Sequence, residues 1–142
     1  MKIFIGSDHA GFDLKAKIIE RLKNIEHEVV DEGTYSRSSC DYPDIAKKVA
    51  NNILNNKLAR GILICGTGIG MSIAANRIKG VRASLCMTPN MAEITRAHND
   101  SNILCLGARL INQEVAFEIV NKWLITPYEG GRHDRRLEKI EE

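Results

Sequence analysis

Cys65 stands directly before Gly66-Thr67-Gly68-Ile69-Gly70, and a thiol beside three alternating glycines is the clearest chemical feature of this sequence. Glycines let a backbone turn sharply and leave no Cβ between it and a ligand. Ahead of the thiol, Ile62, Leu63 and Ile64 form a short apolar run suited to a strand buried on both faces. Behind the loop, Met71 to Ile78 reads as a helix. The order strand, thiol, glycine loop, helix leaves the first helical N–H groups free, with the positive end of the helix dipole behind them. The stretch is therefore either an anion site with a thiol at its lip or a tight strand-to-helix turn with no ligand. A helix N-terminus favours the thiolate, the form of cysteine able to take up a proton.

Two common phosphate-binding patterns are excluded here. The dinucleotide fingerprint requires its third glycine where Met71 stands, and an acidic residue about 20 positions later, where the chain reads Leu85-Cys86-Met87-Thr88-Pro89. No Lys-Ser or Lys-Thr follows the last glycine, so the loop is not a P-loop.

Other polar residues fall at element ends, where chemistry and structure compete for them. Asp8 and His9 follow a first strand, and Asp8 is equally a helix cap. His98, Asn99 and Asp100 end a helix, where His98 would also compensate the dipole. Arg109 follows the last strand, as a ligand for anions or as a solvated loop charge. Cys65 itself could be a small core residue. In the tail, Arg132 and Arg136 are four apart; on a helix they would share a face and could clamp a phosphate. The alternative is a solvated basic turn balanced by Glu138, Glu141 and Glu142.

The elements that must position these residues alternate throughout. Strands are expected at Ile3-Phe4-Ile5, Glu28-Val29-Val30-Asp31, residues 62–64, Val81 to Cys86 and Ile103 to Leu106. Between them run amphipathic helices. Their apolar stripes are Leu14, Ile18, Ile19, Leu22 and Ile25; then Ile45, Val49, Ala50, Ile53 and Leu54; then Met91, Ile94 and Ala97. Pro43 and Pro89 suit first helical turns, and Asn112 caps a last long helix through Val115, Ile119, Trp123 and Leu124, stopped by Pro127. The tail, 128–142, shows helical spacing near Leu137 and Ile140. Five β/α units in one chain predict a single domain with a parallel sheet and helices on both of its faces. Ligands of such sheets sit at the carboxyl ends of the strands, and the polar residues above are expected to gather on that edge.

Composition narrows the function. At 142 residues the chain makes one domain with a full core. Twenty Lys and Arg against 18 Asp and Glu leave +2, too little to argue for nucleic acid or a membrane surface, and 5% aromatics leave few base-stacking platforms. Met1-Lys2-Ile3-Phe4-Ile5 leads into a strand rather than a signal peptide, and a cytoplasmic protein is expected. Cys40, Cys65, Cys86 and Cys105 show no Cys-x-x-Cys spacing and are expected as free thiols; no paired Cys/His cluster supports a metal.

Five segments in register carry a family resemblance. They are Gly6-Ser7-Asp8-His9-Ala10-Gly11, Asp41-Tyr42-Pro43-Asp44, Cys65 to Gly70, His98-Asn99-Asp100 and Gly130-Gly131-Arg132-His133. From about Lys2 to Arg136 the chain resembles the type B ribose-5-phosphate isomerases. That resemblance implies a single three-layer α/β/α Rossmann-like domain with a five-stranded parallel sheet, a homodimer with active sites at the interface, a dimer of dimers as a further assembly, and neither metal nor organic cofactor. It implies interconversion of ribose 5-phosphate and ribulose 5-phosphate through a cis-enediolate. Cys65 would be the base moving the proton between C2 and C1, and His98 would open the sugar ring. Asp8 and His9 would bind sugar hydroxyls, with Tyr42 and Asn99 also on the substrate. Backbone N–H groups of Gly66, Gly68, Ile69 and Gly70, helped by Thr67, would hold the enediolate oxygen. Arg109, Arg132 and Arg136 would hold the phosphate and His133 would also bind substrate, residues 128–142 forming an arm that reaches the partner. An allose-6-phosphate isomerase is the nearest alternative. The related galactose-6-phosphate isomerase subunits lack the thiol. A non-catalytic sugar-phosphate or nucleotide-binding module on the same fold would need neither Cys65 nor His98.

Overall fold

The computed structural model describes all 142 residues, Met1 to Glu142. Five strands, β1 (Lys2–Ser7), β2 (Glu28–Asp31), β3 (Arg60–Cys65), β4 (Ala83–Leu85) and β5 (Ile103–Gly107), form one sheet in the order β2-β1-β3-β5-β4. Every pairing is parallel. Six helices surround it: α1 (Phe12–Asn24), α2 (Tyr42–Leu54), α3 (Ile69–Asn76), α4 (Pro89–Asn99), α5 (Gln113–Ile125) and α6 (Arg132–Glu141). No helix is long and apolar enough to cross a membrane.

The central strands are apolar on both sides, so each face of the sheet is covered. On one face Ile3, Ile5, Ile62, Ile64, Leu104 and Leu106 pack with Ile18 and Leu22 of α1, Ala92 of α4, and Ile119 and Trp123 of α5. On the other, Phe4, Leu63, Cys65, Ile103 and Cys105 pack with α2 and α3 through Ile45, Val49, Ile53, Met71 and Ala75. The chain leaves β1 for β2 on one side and returns to β3 on the other. That reversal opens a crevice between the carboxyl ends of β1 and β3.

Three boundaries differ from the sequence-based expectation. β4 is an edge strand whose only partner is β5, and it shortens to Ala83–Leu85 because Val81 N–H closes a turn onto Ile78 O. α3 starts two residues early, at Ile69, because Gly68 takes a left-handed conformation (φ +77°) that turns the loop directly into the helix. The tail is helical from Arg132, which makes Arg132 and Arg136 neighbours on one helix.

Trp123 is fully buried, and its indole Nε1–H donates to the buried Ser101 Oγ at 2.7 Å. This bond holds the turn after α4. Trp123→Phe should cost about 1–3 kcal/mol, because it strands that hydroxyl. A lowered urea midpoint with an unchanged slope would show it; an unmoved midpoint would refute the role.

Candidate active site

The crevice at the β1/β3 reversal is assembled by backbone contacts. Asp8 N–H donates to Ile64 O at 3.1 Å, bringing the end of β1 against the end of β3. The Asp8 carboxylate is nearly buried, and its Oδ1 accepts from Ala10 and Gly11 N–H at 2.9 and 3.2 Å, capping a short 3₁₀ turn at His9–Gly11. His9 Nδ1 accepts from Cys40 N–H at 3.3 Å. With that nitrogen an acceptor, the neutral ring carries its proton on Nε2 and can donate it to a ligand.

Cys65 closes β3 and is 5% exposed. Its Sγ accepts from Gly68 N–H at 3.1 Å. Thr67 Oγ1 accepts from Ile69 N–H at 3.2 Å and caps α3. The N–H groups of Thr67 and Gly70 then find no acceptor within the chain and remain for an anion. Gly66 lies under Arg109, since a Cβ there would sit 3.1 Å from the guanidinium. Gly70 lies under the Tyr42 ring, where a Cβ would collide with Cε1. Arg109 is fixed at its root by its N–H on Gly66 O, 2.9 Å. Thiol, free amides, tyrosine, aspartate, histidine and guanidinium thus meet at one edge. The other cysteines are not equivalent: burial pushes the Cys86 thiol up to about 12 and that of the fully buried Cys105 higher still.

The remaining expected residues are elsewhere, and this corrects the single-edge expectation. α4 runs antiparallel to the strands, so its C-terminus returns to the edge where strands begin. Arg82, just before β4, donates through Nε to Asn99 O and Asp100 O; Asn102, just before β5, accepts from Gly61 N–H. Arg96 Nη1 reaches Asp100 Oδ1 and Ser101 O, and Asp100 is held left-handed at φ +46°. His98 and Asn99 are therefore separated from Cys65 by the length of β3, about 16 Å at 3.3 Å per residue. α6 packs against α4 at the same edge, bringing His133, Arg132 and Arg136 there. The His98 and His133 rings are stacked, centroids 4.4 Å apart and planes 17° from parallel.

Sequence reasoning missed Glu129. Its N–H donates to Ala97 O at 3.0 Å, and its Oε2 lies 3.8 Å from His98 Nε2 and 3.6 Å from His133 Nε2. Its four-residue spacing from His133 was visible in the sequence, but its approach to His98 was not, since His98 belongs to a different βα unit. One chain thus holds two polar clusters on opposite edges of the sheet, a thiol with free amides on one and stacked imidazoles with a carboxylate on the other.

The model of the Ribose/Galactose Isomerase family matches residues 3–140. A putative sugar phosphate isomerase of Rickettsia bellii is 56% identical over 140 residues, covering 98% of this chain and 96% of that protein. Ribose-5-phosphate isomerase B of Escherichia coli is 48% identical over 139 residues, 98% and 93% of the two chains. Among solved structures, a ribose 5-phosphate isomerase from Thermotoga maritima superposes with a TM-score of 0.96 at 57% identity, over 99% of this chain and 97% of the other. Ribose-5-phosphate isomerase B of Mycoplasma genitalium, solved with bound ribulose-5-phosphate, gives 0.95 at 44% identity, over 99% and 93%.

Proposed function

The chain belongs to the ribose/galactose isomerase family, and from that premise we propose that this isomerase interconverts D-ribose 5-phosphate and D-ribulose 5-phosphate through a cis-enediolate in a homodimer. The observation that carries the dimer is the split of the polar residues. Cys65, Asp8, His9, Tyr42 and Arg109 lie on one edge, and His98, Asn99, Arg132, His133 and Arg136 on the other. Proton transfer needs partners within about 3 Å. A complete site therefore takes one cluster from each of two copies related by a two-fold axis.

The surface supports such pairing. The outer side of β4 has no strand beside it. Exposed Ile69 and Ile73 of α3 lie on one side of it, and exposed Met91 and Ile94 of α4 on the other. A groove there is lined by Leu85, Met91, Ile94 and Asn99. This apolar strip begins at the glycine loop and ends at Asn99, so a second copy laid antiparallel on it would bring Cys65 of one chain toward His98 of the other.

In this site Arg109, with Arg132 and Arg136 of α6, holds the phosphate, and that remote binding energy positions C1 and C2. His98 passes a proton to the ring oxygen as its bond to C1 breaks and the C1 hydroxyl loses its proton to become the aldehyde, with Asp8 and His9 on the hydroxyls and Asn99 on the open chain. Cys65 takes the C2 proton and returns it to C1 on the same face, while the C2 hydroxyl gives up its proton and the C1 oxygen gains one, so that C2 becomes the ketone and C1 the alcohol. Charge builds on the C1 oxygen meanwhile, facing the free N–H groups of the glycine loop and the Thr67 hydroxyl.

Subunit complementation tests the arrangement. Cys65→Ala and His98→Asn chains, each inactive alone, should regain about a quarter of wild-type turnover when unfolded together and refolded. Half the dimers would then be mixed, with one of two sites intact. No recovery from confirmed mixed dimers would refute a shared site. Comparing kcat/KM on ribose 5-phosphate and allose 6-phosphate fixes the substrate.

A further inference from the structure

His98, Glu129 and His133 come from the last turn of α4, the loop after α5 and the first turn of α6. One donor atom from each lies within 4.8 Å of the others. Neither histidine-to-carboxylate separation is short enough for a hydrogen bond. His133 is only 7% exposed, and its Nε2 is buried without any hydrogen-bond partner. Buried ring nitrogens are ordinarily satisfied, so one aimed unpaired toward a carboxylate and a second imidazole indicates a ligand between them.

We propose that His98 Nε2, His133 Nε2 and Glu129 Oε2 bind a divalent cation of the zinc class. Two imidazoles and one carboxylate make a three-ligand set that leaves the fourth tetrahedral position open. The mixed nitrogen and oxygen donors disfavour magnesium and calcium, which take oxygen ligands. Zinc–nitrogen bonds of 2.0–2.1 Å place two nitrogens about 3.3 Å apart, so the donors must close by roughly 1.5 Å or less. The Glu129 side chain is exposed and His98 partly so, which leaves both free to turn. Binding would swing the two rings out of their stack. Arg132, next to His133, is exposed and can keep its charge in solvent away from the ion.

The site stands on this geometry alone; its effect on turnover rests on the role given to His98 above. A nitrogen that holds a cation cannot carry a proton, so the ion acts as a reversible inhibitor rather than a cofactor.

The test is a titration of chelator-stripped, full-length protein with Co²⁺ and Zn²⁺, followed by calorimetry and by the visible Co²⁺ spectrum. We expect one ion per chain, with tetrahedral-type bands and no thiolate-to-metal absorption. Glu129→Gln, a change of an exposed side chain, should weaken binding at least tenfold. Cys65→Ala should leave it unchanged. Substoichiometric binding, equal affinity in Glu129→Gln, or a thiolate band would overturn the site. Stoichiometric binding weakened by Glu129→Gln but without loss of turnover would keep the site and instead overturn the ring-opening role of His98.

Discussion

Cys65→Ala should lower kcat by at least about 10³-fold while ribose 5-phosphate still binds. General bases contribute roughly 10²–10⁴ in rate, and no other group on the Cys65 edge is both near the free amides and able to replace it. Asp8 has one carboxylate oxygen committed to Ala10 and Gly11, and His9 uses Nδ1 to hold the Cys40 amide. The substitution removes an atom that accepts from Gly68 N–H, and it leaves the loop conformation in place, because that is set by the left-handed Gly68. Phosphate affinity should therefore survive, since the arginines are untouched. Calorimetry with substrate, alongside deuterium incorporation at C1 and C2 in D₂O, separates the two effects. Near wild-type exchange would remove Cys65 from the base role.

His98→Asn should have an effect that depends on the form of the substrate. With the cyclic sugar phosphate the loss should reach about 10²–10⁴-fold; with an open-chain analogue it should be far smaller, because ring opening is bypassed. Imidazole suits the step because its ordinary pKa, near 6.5, lets it both give and accept a proton around neutrality. Asparagine keeps a polar, similarly sized side chain beside His133 but cannot exchange a proton. Equal losses on both substrates would assign His98 to binding or positioning instead.

Much of this molecule was legible in its residue pattern, and the limit of legibility has a definite physical origin. Alternating apolar runs and amphipathic stripes specify five β/α units, and doubly covered strands such as Ile62-Leu63-Ile64 leave little freedom in the choice of layers. The glycine loop was also readable, because Gly68 at φ +77° and the closely packed Gly70 are backbone requirements that few other residues meet. The edge occupied by His98 was misjudged for a geometric reason. A residue at the end of a helix that leads into a strand sits where strands begin, however near it stands in sequence to the next strand's far end. Strand limits such as those of β4 depend on how many partners a strand has, which no local pattern records. Glu129 stands four residues before His133, but its significance comes from adding His98 of a separate element, which spacing does not record.

The separation of the two clusters along β3 has a kinetic meaning under the proposed function. Under that proposal a lone chain carries a base without a ring opener and a ring opener without a base, so it lacks a complete site for the cyclic sugar phosphate. In dilute solution the reaction velocity would scale with the square of chain concentration and become linear only once pairing saturates. The apolar strip beside β4 is then a determinant of rate as much as of assembly, and a packing fault there would register as lost activity without altering any group that meets the sugar.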